Sequence, residues 1–167
     1  MKGKKTLIII GIVVTVLVAL LVMSSCVSVE DGTNSTLSEE EIASVRESAN
    51  TMATTLHIQG TTVGLNIRTY EVAEMTNNSY KAEEAYDEFT DNFDDLLNTT
   101  KEFLEHINKY PSCFSEESLN SAKELETLYN KTLEASKTTS KYNEKNYIKM
   151  VREFLDGISD WSFVRTQ

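Results

Sequence analysis

At 167 residues the chain has the length of about one domain, and its formal net charge of −10 is unevenly spread. Three of the 16 basic residues, Lys2, Lys4 and Lys5, precede the first acid, Glu30; the 13 that follow face all 26 acids, a balance that repels nucleic acid and anionic lipid headgroups. Two cysteines without metal-type spacing, one proline and six glycines leave no zinc motif and few helix breakers, so the reading is all-helical.

The first element is apolar. Residues 1–6 form a short basic flank, and residues 7–27 are apolar except for Gly11, Thr15, Ser24 and Ser25. Twenty-one helical residues span about 31 Å, enough for a hydrocarbon core of about 30 Å, and longer than the 7–15 residues or so of a secretory signal. A retained transmembrane helix is therefore expected. The lysines before it and Glu30 and Asp31 after it place the N-terminus in the cytoplasm and the rest of the chain outside, at the cell membrane. The rival reading rests on Met23-Ser24-Ser25-Cys26. This stretch resembles the bacterial lipobox, with Met23 where leucine is usual, and the resemblance implies cleavage and lipidation at Cys26.

Residues 28–37 read as a polar linker, and residues 38–167 as an extracytoplasmic helical bundle. "LSEEEI" is a helix start: Ser38 caps, Glu41 reaches back, and Leu37 and Ile42 hold staple positions. Its apolar stripe runs through Val45, Ala49, Met52, Ala53, Leu56, Val63, Ile67 and Tyr70, so one helix extends to about residue 75 unless Gly60 and Gly64 break it. A turn at 76–79 follows. Ala82, Tyr86, Phe89, Phe93, Leu96, Thr100, Phe103, Ile107 and Tyr110 then alternate spacings of four and three, the core positions of a second long helix.

Pro111 ends that helix, and Ser115 caps the next, with Phe114 and Leu119 as its staple and Ala122, Leu125, Tyr129 and Leu133 as its stripe. "SKYNEK" marks an interruption near Asn143, with Tyr142 and Tyr147 again at staple spacing. The last segment presents Tyr147, Val151, Phe154, Ile158 and Trp161. The expected fold is an elongated, coiled-coil-like antiparallel bundle of three long helices, divisible into four or five segments.

The chemistry-bearing residues form no catalytic constellation. Glu84, Glu88, Asp91 and Asp95 share a helix face but lack the loop ligands of a calcium site. His57 and His106 lack the Glu-x-x-His pairing of di-iron bundles, and no nucleophile motif or phosphate loop is present. Cys113 falls in a loop, where its thiol is either open to an intermolecular disulfide in an oxidising space or inert. Asn34, Asn77, Asn98 and Asn130 begin N-x-S/T sequons and are glycosylation candidates if the domain is exported. The expectation is therefore no enzyme and no cofactor. The chain is read as a membrane-anchored protein, held by residues 7–27, that acts through a protein partner or self-association and does not bind nucleic acid. The alternative is a lipidated or spanning sensor that holds a small ligand among its core aromatics.

Overall fold

Helix α1 (Glu39–Met75) begins with the capping box its sequence encodes: the Glu41 N–H donates to Ser38 Oγ at 3.3 Å, and the Ser38 N–H donates to Glu41 Oε2 at 2.7 Å. Leu37 and Ile42 both pack on the core. The structure, a computed structural model, describes residues 37–164. The expected transmembrane helix at 7–27, all of the expected 28–37 linker but Leu37, Cys26 and Asn34 lie outside the described residues. Among the described residues no helix is long and apolar enough to cross a membrane.

Helix α1 runs unbroken through both glycines for 37 residues, about 55 Å. Gly60 is buried because another helix passes over it. A β-carbon there would sit 3.3 Å from Ile158 Cγ2. The helix ends at Thr76 in a Schellman motif. Asn77 adopts φ 52°, its N–H donates to the Glu74 carbonyl at 3.0 Å, and the Asn78 N–H donates to the Ala73 carbonyl at 2.9 Å. Asn78 then caps helix α2 (Ser79–Lys109), accepting from the Lys81 N–H at 3.2 Å.

The stripe of α2 is buried as its spacing requires. Ala82, Phe89, Phe93, Leu96, Phe103 and Ile107 are core, and Tyr86 and Tyr110 are half-buried. Thr100, the polar member, is fully buried and donates to its own helix at the Leu96 carbonyl, 2.7 Å away. Pro111 opens a single 3-10 turn, η1 (Pro111–Cys113), and Ser115 caps helix α3 (Glu116–Thr138) by accepting from the Ser118 N–H.

The third rod expected from the sequence is two helices. Helix α3 stops at Thr138, and Asn143 caps helix α4 (Glu144–Asp160). Leu128 meets Gly157, Lys131 pairs with Glu153, and Ser121 meets Ser162, so α4 folds back along α3. The described residues thus form an all-helical, antiparallel up-down-up-down bundle of four helices. One expectation fails locally: Tyr142 is 99% exposed and does not staple to Tyr147. Cys113, whose thiol the sequence left either open to a disulfide or inert, is buried within the α2–α3 connection.

The core is aromatic. Phe89 and Phe93 meet Tyr147, Phe93 meets Phe154, and Phe103 meets Trp161 and Phe163 edge-on. Beyond α4 the chain turns extended and lies along α3. Trp161 Nε1 donates to the Ser121 carbonyl at 2.9 Å, Ser121 Oγ to the Ser162 carbonyl, and Ser118 Oγ to the Val164 carbonyl, both at 2.7 Å. These bonds explain why α3 buries two serines where an apolar stripe is expected.

Candidate interaction surface

The structure places the sequence-predicted residues apart from one another. Asn77 is the exposed left-handed residue of the α1–α2 turn, Asn98 is exposed on α2, and Asn130 is exposed on α3. Glu88, Asp91 and Asp95 are solvated on the outside of α2. Among the described residues no three His, Cys, Asp or Glu side chains are grouped to hold a metal ion. His106 is tied into the fold: its Nε2 donates to the Val45 carbonyl at 3.0 Å, while the neighbouring Arg46 Nε donates to the Cys113 carbonyl at 2.7 Å. His57 stacks on Trp161 with ring centroids 5.6 Å apart.

Two shallow grooves flank His57. One, of about 330 Å³, is lined by Thr54, Ile58, Thr61 and Phe163; the other, of about 340 Å³, lies between α1 and α4 over Gly60 and Gly64. The second carries Arg68, Arg152 and Asp156 at its edges, and Arg152 is engaged with Glu71 at 2.6 Å. Both lie on the surface, away from the ring stack of Phe89, Phe93, Tyr147 and Phe154.

The more distinctive surface is the outer side of α1. From Ser48 to Ile67 no residue carries a formal charge, in a chain that is 25% charged. Opposite the core stripe, Thr55, Ile58, Thr62, Leu65, Thr69, Val72 and Thr76 follow one another at spacings of three and four, so they share one face. Ile58 is 63% exposed, and Leu65 and Val72 are each 55% exposed.

The threonines of this face are less polar than their composition suggests. Thr62 Oγ1 donates to the Ile58 carbonyl, Thr69 Oγ1 to the Leu65 carbonyl and Thr76 Oγ1 to the Val72 carbonyl, at 3.0, 3.0 and 2.9 Å. Thr55 makes the same bond to Thr51. Each hydroxyl donor is spent inside the helix, so the face needs little from water and presents methyl groups between the aliphatic side chains. The unit is an aliphatic residue followed four positions later by a back-bonded threonine, repeated three times at a seven-residue period.

Sequence reasoning followed the core stripe of α1 and missed this second one. The signal was present in the charge-free run and in the period of Ile58, Leu65 and Val72. It was hidden because a helix apolar on two opposite sides has little net amphipathicity. Comparison with known protein families, curated proteins and solved structures finds no match for this chain.

Proposed function

We propose that the chain is a membrane-tethered helical bundle, held outside the cell by residues 7–27, that works by contact with a protein and without catalysis. The observation that supports contact is the outer face of α1: three aliphatic side chains more than half exposed, Ile58 and Leu65 within the charge-free run and Val72 five residues beyond it. Exposed single apolar residues are ordinary, whereas a periodic uncharged row on an otherwise acidic domain marks a surface meant to be covered. Tethering is supported by the 21-residue apolar run, and its direction by Lys2, Lys4 and Lys5. Protease treatment of intact cells tests the reading. Residues 38–167 are expected to be digested while the N-terminal segment stays with the membrane; protection of the bundle would sink it. Mass spectrometry of Cys26 separates the spanning form from the lipidated one.

A second reading is favoured by one observation, the groove that sets Arg68 and Arg152 against Asp156 beside His57. Cations and a carboxylate on one rim suit a small zwitterion, which would make the domain a sensor. Thermal unfolding in the presence of a panel of amino acids tests it. No shift with any of them, or a shift that survives Arg68→Ala, counts against a site there.

A further inference from the structure

We infer that the partner of the α1 face is a second copy of this chain, docked side by side through Ile58, Leu65 and Val72 about a two-fold axis. This rests on the contact reading above and names its partner.

Charge selects the occupant. Helix α2 carries Glu83, Glu84, Asp87, Glu88, Asp91, Asp94 and Asp95 outside its core stripe, and α3 adds Glu116, Glu117, Glu124, Glu126 and Glu134. Two copies meeting on those faces would set like charges against each other. A basic partner would be drawn to the same acids and not to α1. The seven residues of the strip, Thr55 to Thr76, are all uncharged and Arg68 is the one charge at their edge, so two acidic copies can meet there without setting carboxylate rows against each other.

The period supplies the fit. A two-fold axis brings the same patch of each copy together, so a seven-residue repeat meets its own repeat in register. With the two-fold axis taken along the helices they run parallel, and each member of the repeat meets its own copy. Leu65 then packs against the partner's Leu65, and the threonine methyl groups fill the spaces between the aliphatic layers.

Area sets the regime. Twenty-two residues make a strip about 33 Å long, and at a helix width of about 10 Å it buries roughly 330 Å² per copy. A stable free dimer buries about 800 Å² per partner. The contact is therefore weak between free chains and forms where tethering raises the local concentration.

The test uses the full chain carrying Cys26→Ser, reconstituted into phosphatidylcholine vesicles, with Ile58→Cys, Leu65→Cys or Val72→Cys added singly. Asp91→Cys, on the acidic outer face of α2, is the control; Cys113 is buried and common to all. Flotation of the vesicles reports tethering, and oxidative crosslinking reports the seam. All three α1 variants are expected to form disulfide dimers at least ten times faster than the control. Adding Leu65→Glu to Ile58→Cys is expected to abolish the crosslink while leaving thermal unfolding unchanged. Flotation with crosslinking no faster than the control overturns the self-contact and leaves the tethering intact. Crosslinking at Leu65 alone, with Ile58 and Val72 silent, overturns the parallel arrangement. Seam crosslinking without flotation supports the self-contact and overturns the tether.

Discussion

Asn77 shows how much a single backbone angle specifies. At φ 52° it is the residue that turns the chain between the two longest helices, and both capping bonds depend on that angle. Asparagine tolerates the left-handed region and glycine prefers it, whereas a β-carbon without a compensating amide costs about 1–2 kcal/mol there. Asn77→Ala is expected to lower stability by about 1 kcal/mol and Asn77→Gly to leave it level or higher, as read by urea denaturation. Equal losses for both would mean that the side chain, not the angle, matters. A second group of residues ties down the start of α4. Tyr70 donates to the Glu144 carboxylate and Tyr86 to the Lys141 carbonyl, and burial pushes up the phenols of Tyr70, Tyr86 and Tyr147, Tyr86 to about 12. An unfolded tyrosine ionises near pH 10, so above that value the unfolded chain holds fewer protons than the folded one. This contribution to stability is complete below about pH 10 and is lost as pH rises through the folded values. Melting temperatures from pH 8 to 12 should be level at first and then fall. A level profile throughout would show that these phenols titrate normally.

At the level of elements, the helix ends were legible and the path of the third rod was not. Ser38 and Ser115 cap as their sequence contexts indicate, and the helix breaks near Asn143, because a side-chain oxygen before a helical run has a local use that needs no tertiary information. Whether the segment after Asn143 continues along the same axis or folds back depends on what it packs against, and no local pattern carries that. The buried serines of α3 are the same lesson: their partners are carbonyls of residues 162 and 164, about 40 residues away in the chain. Glycines separate local propensity from packing within single helices. A β-carbon at Gly64 would meet Leu155 Cδ1 at 3.9 Å, an ordinary contact, whereas one at Gly157 would sit 2.5 Å from Leu128 Cδ2 and 2.8 Å from Cδ1. Gly64→Ala is therefore expected to stabilise by about 0.5–1 kcal/mol through helix propensity. Gly157→Ala should destabilise by about 1–2 kcal/mol, since overpacking against Leu128 exceeds the same gain. Thermal unfolding of the two variants checks the opposite signs.

For the molecule as a whole, charge and core pull in different directions. The aromatic stack along α2 and α4 was readable from spacing alone, since a stripe of phenylalanines at three and four has one sensible use. The outer strip of α1 was not read, because periodicity says which residues share a side and is silent on whether another helix of the same chain covers it. The electrostatic balance is legible from composition. Beyond residue 28 the acids outnumber the bases two to one, and the surface pairs Lys141–Asp94 at 2.7 Å and Arg152–Glu71 at 2.6 Å relieve only part of that. Exposed pairs of this kind contribute about 0–1 kcal/mol each, so the net field within the domain is repulsive. Raising sodium chloride from about 0.01 M to 0.15 M shortens the screening length from about 30 to 8 Å and should raise the melting temperature. A fall would mean that the ion pairs outweigh the self-repulsion.

The buried thiol of Cys113 gives the fold a clock. It sits at 1% exposure at the end of the 3-10 turn of the α2–α3 connection, beside Phe114 and in the same core as Phe163 of the extended tail. A maleimide cannot reach the sulfur until that end of the molecule opens, so alkylation at this position counts opening events, with no label added. Where reclosing outpaces the reagent, the rate reports how often the end is open at equilibrium; in excess reagent it reports how fast it opens. Unfolding of one end of the bundle can thus be timed separately from the melting of the whole.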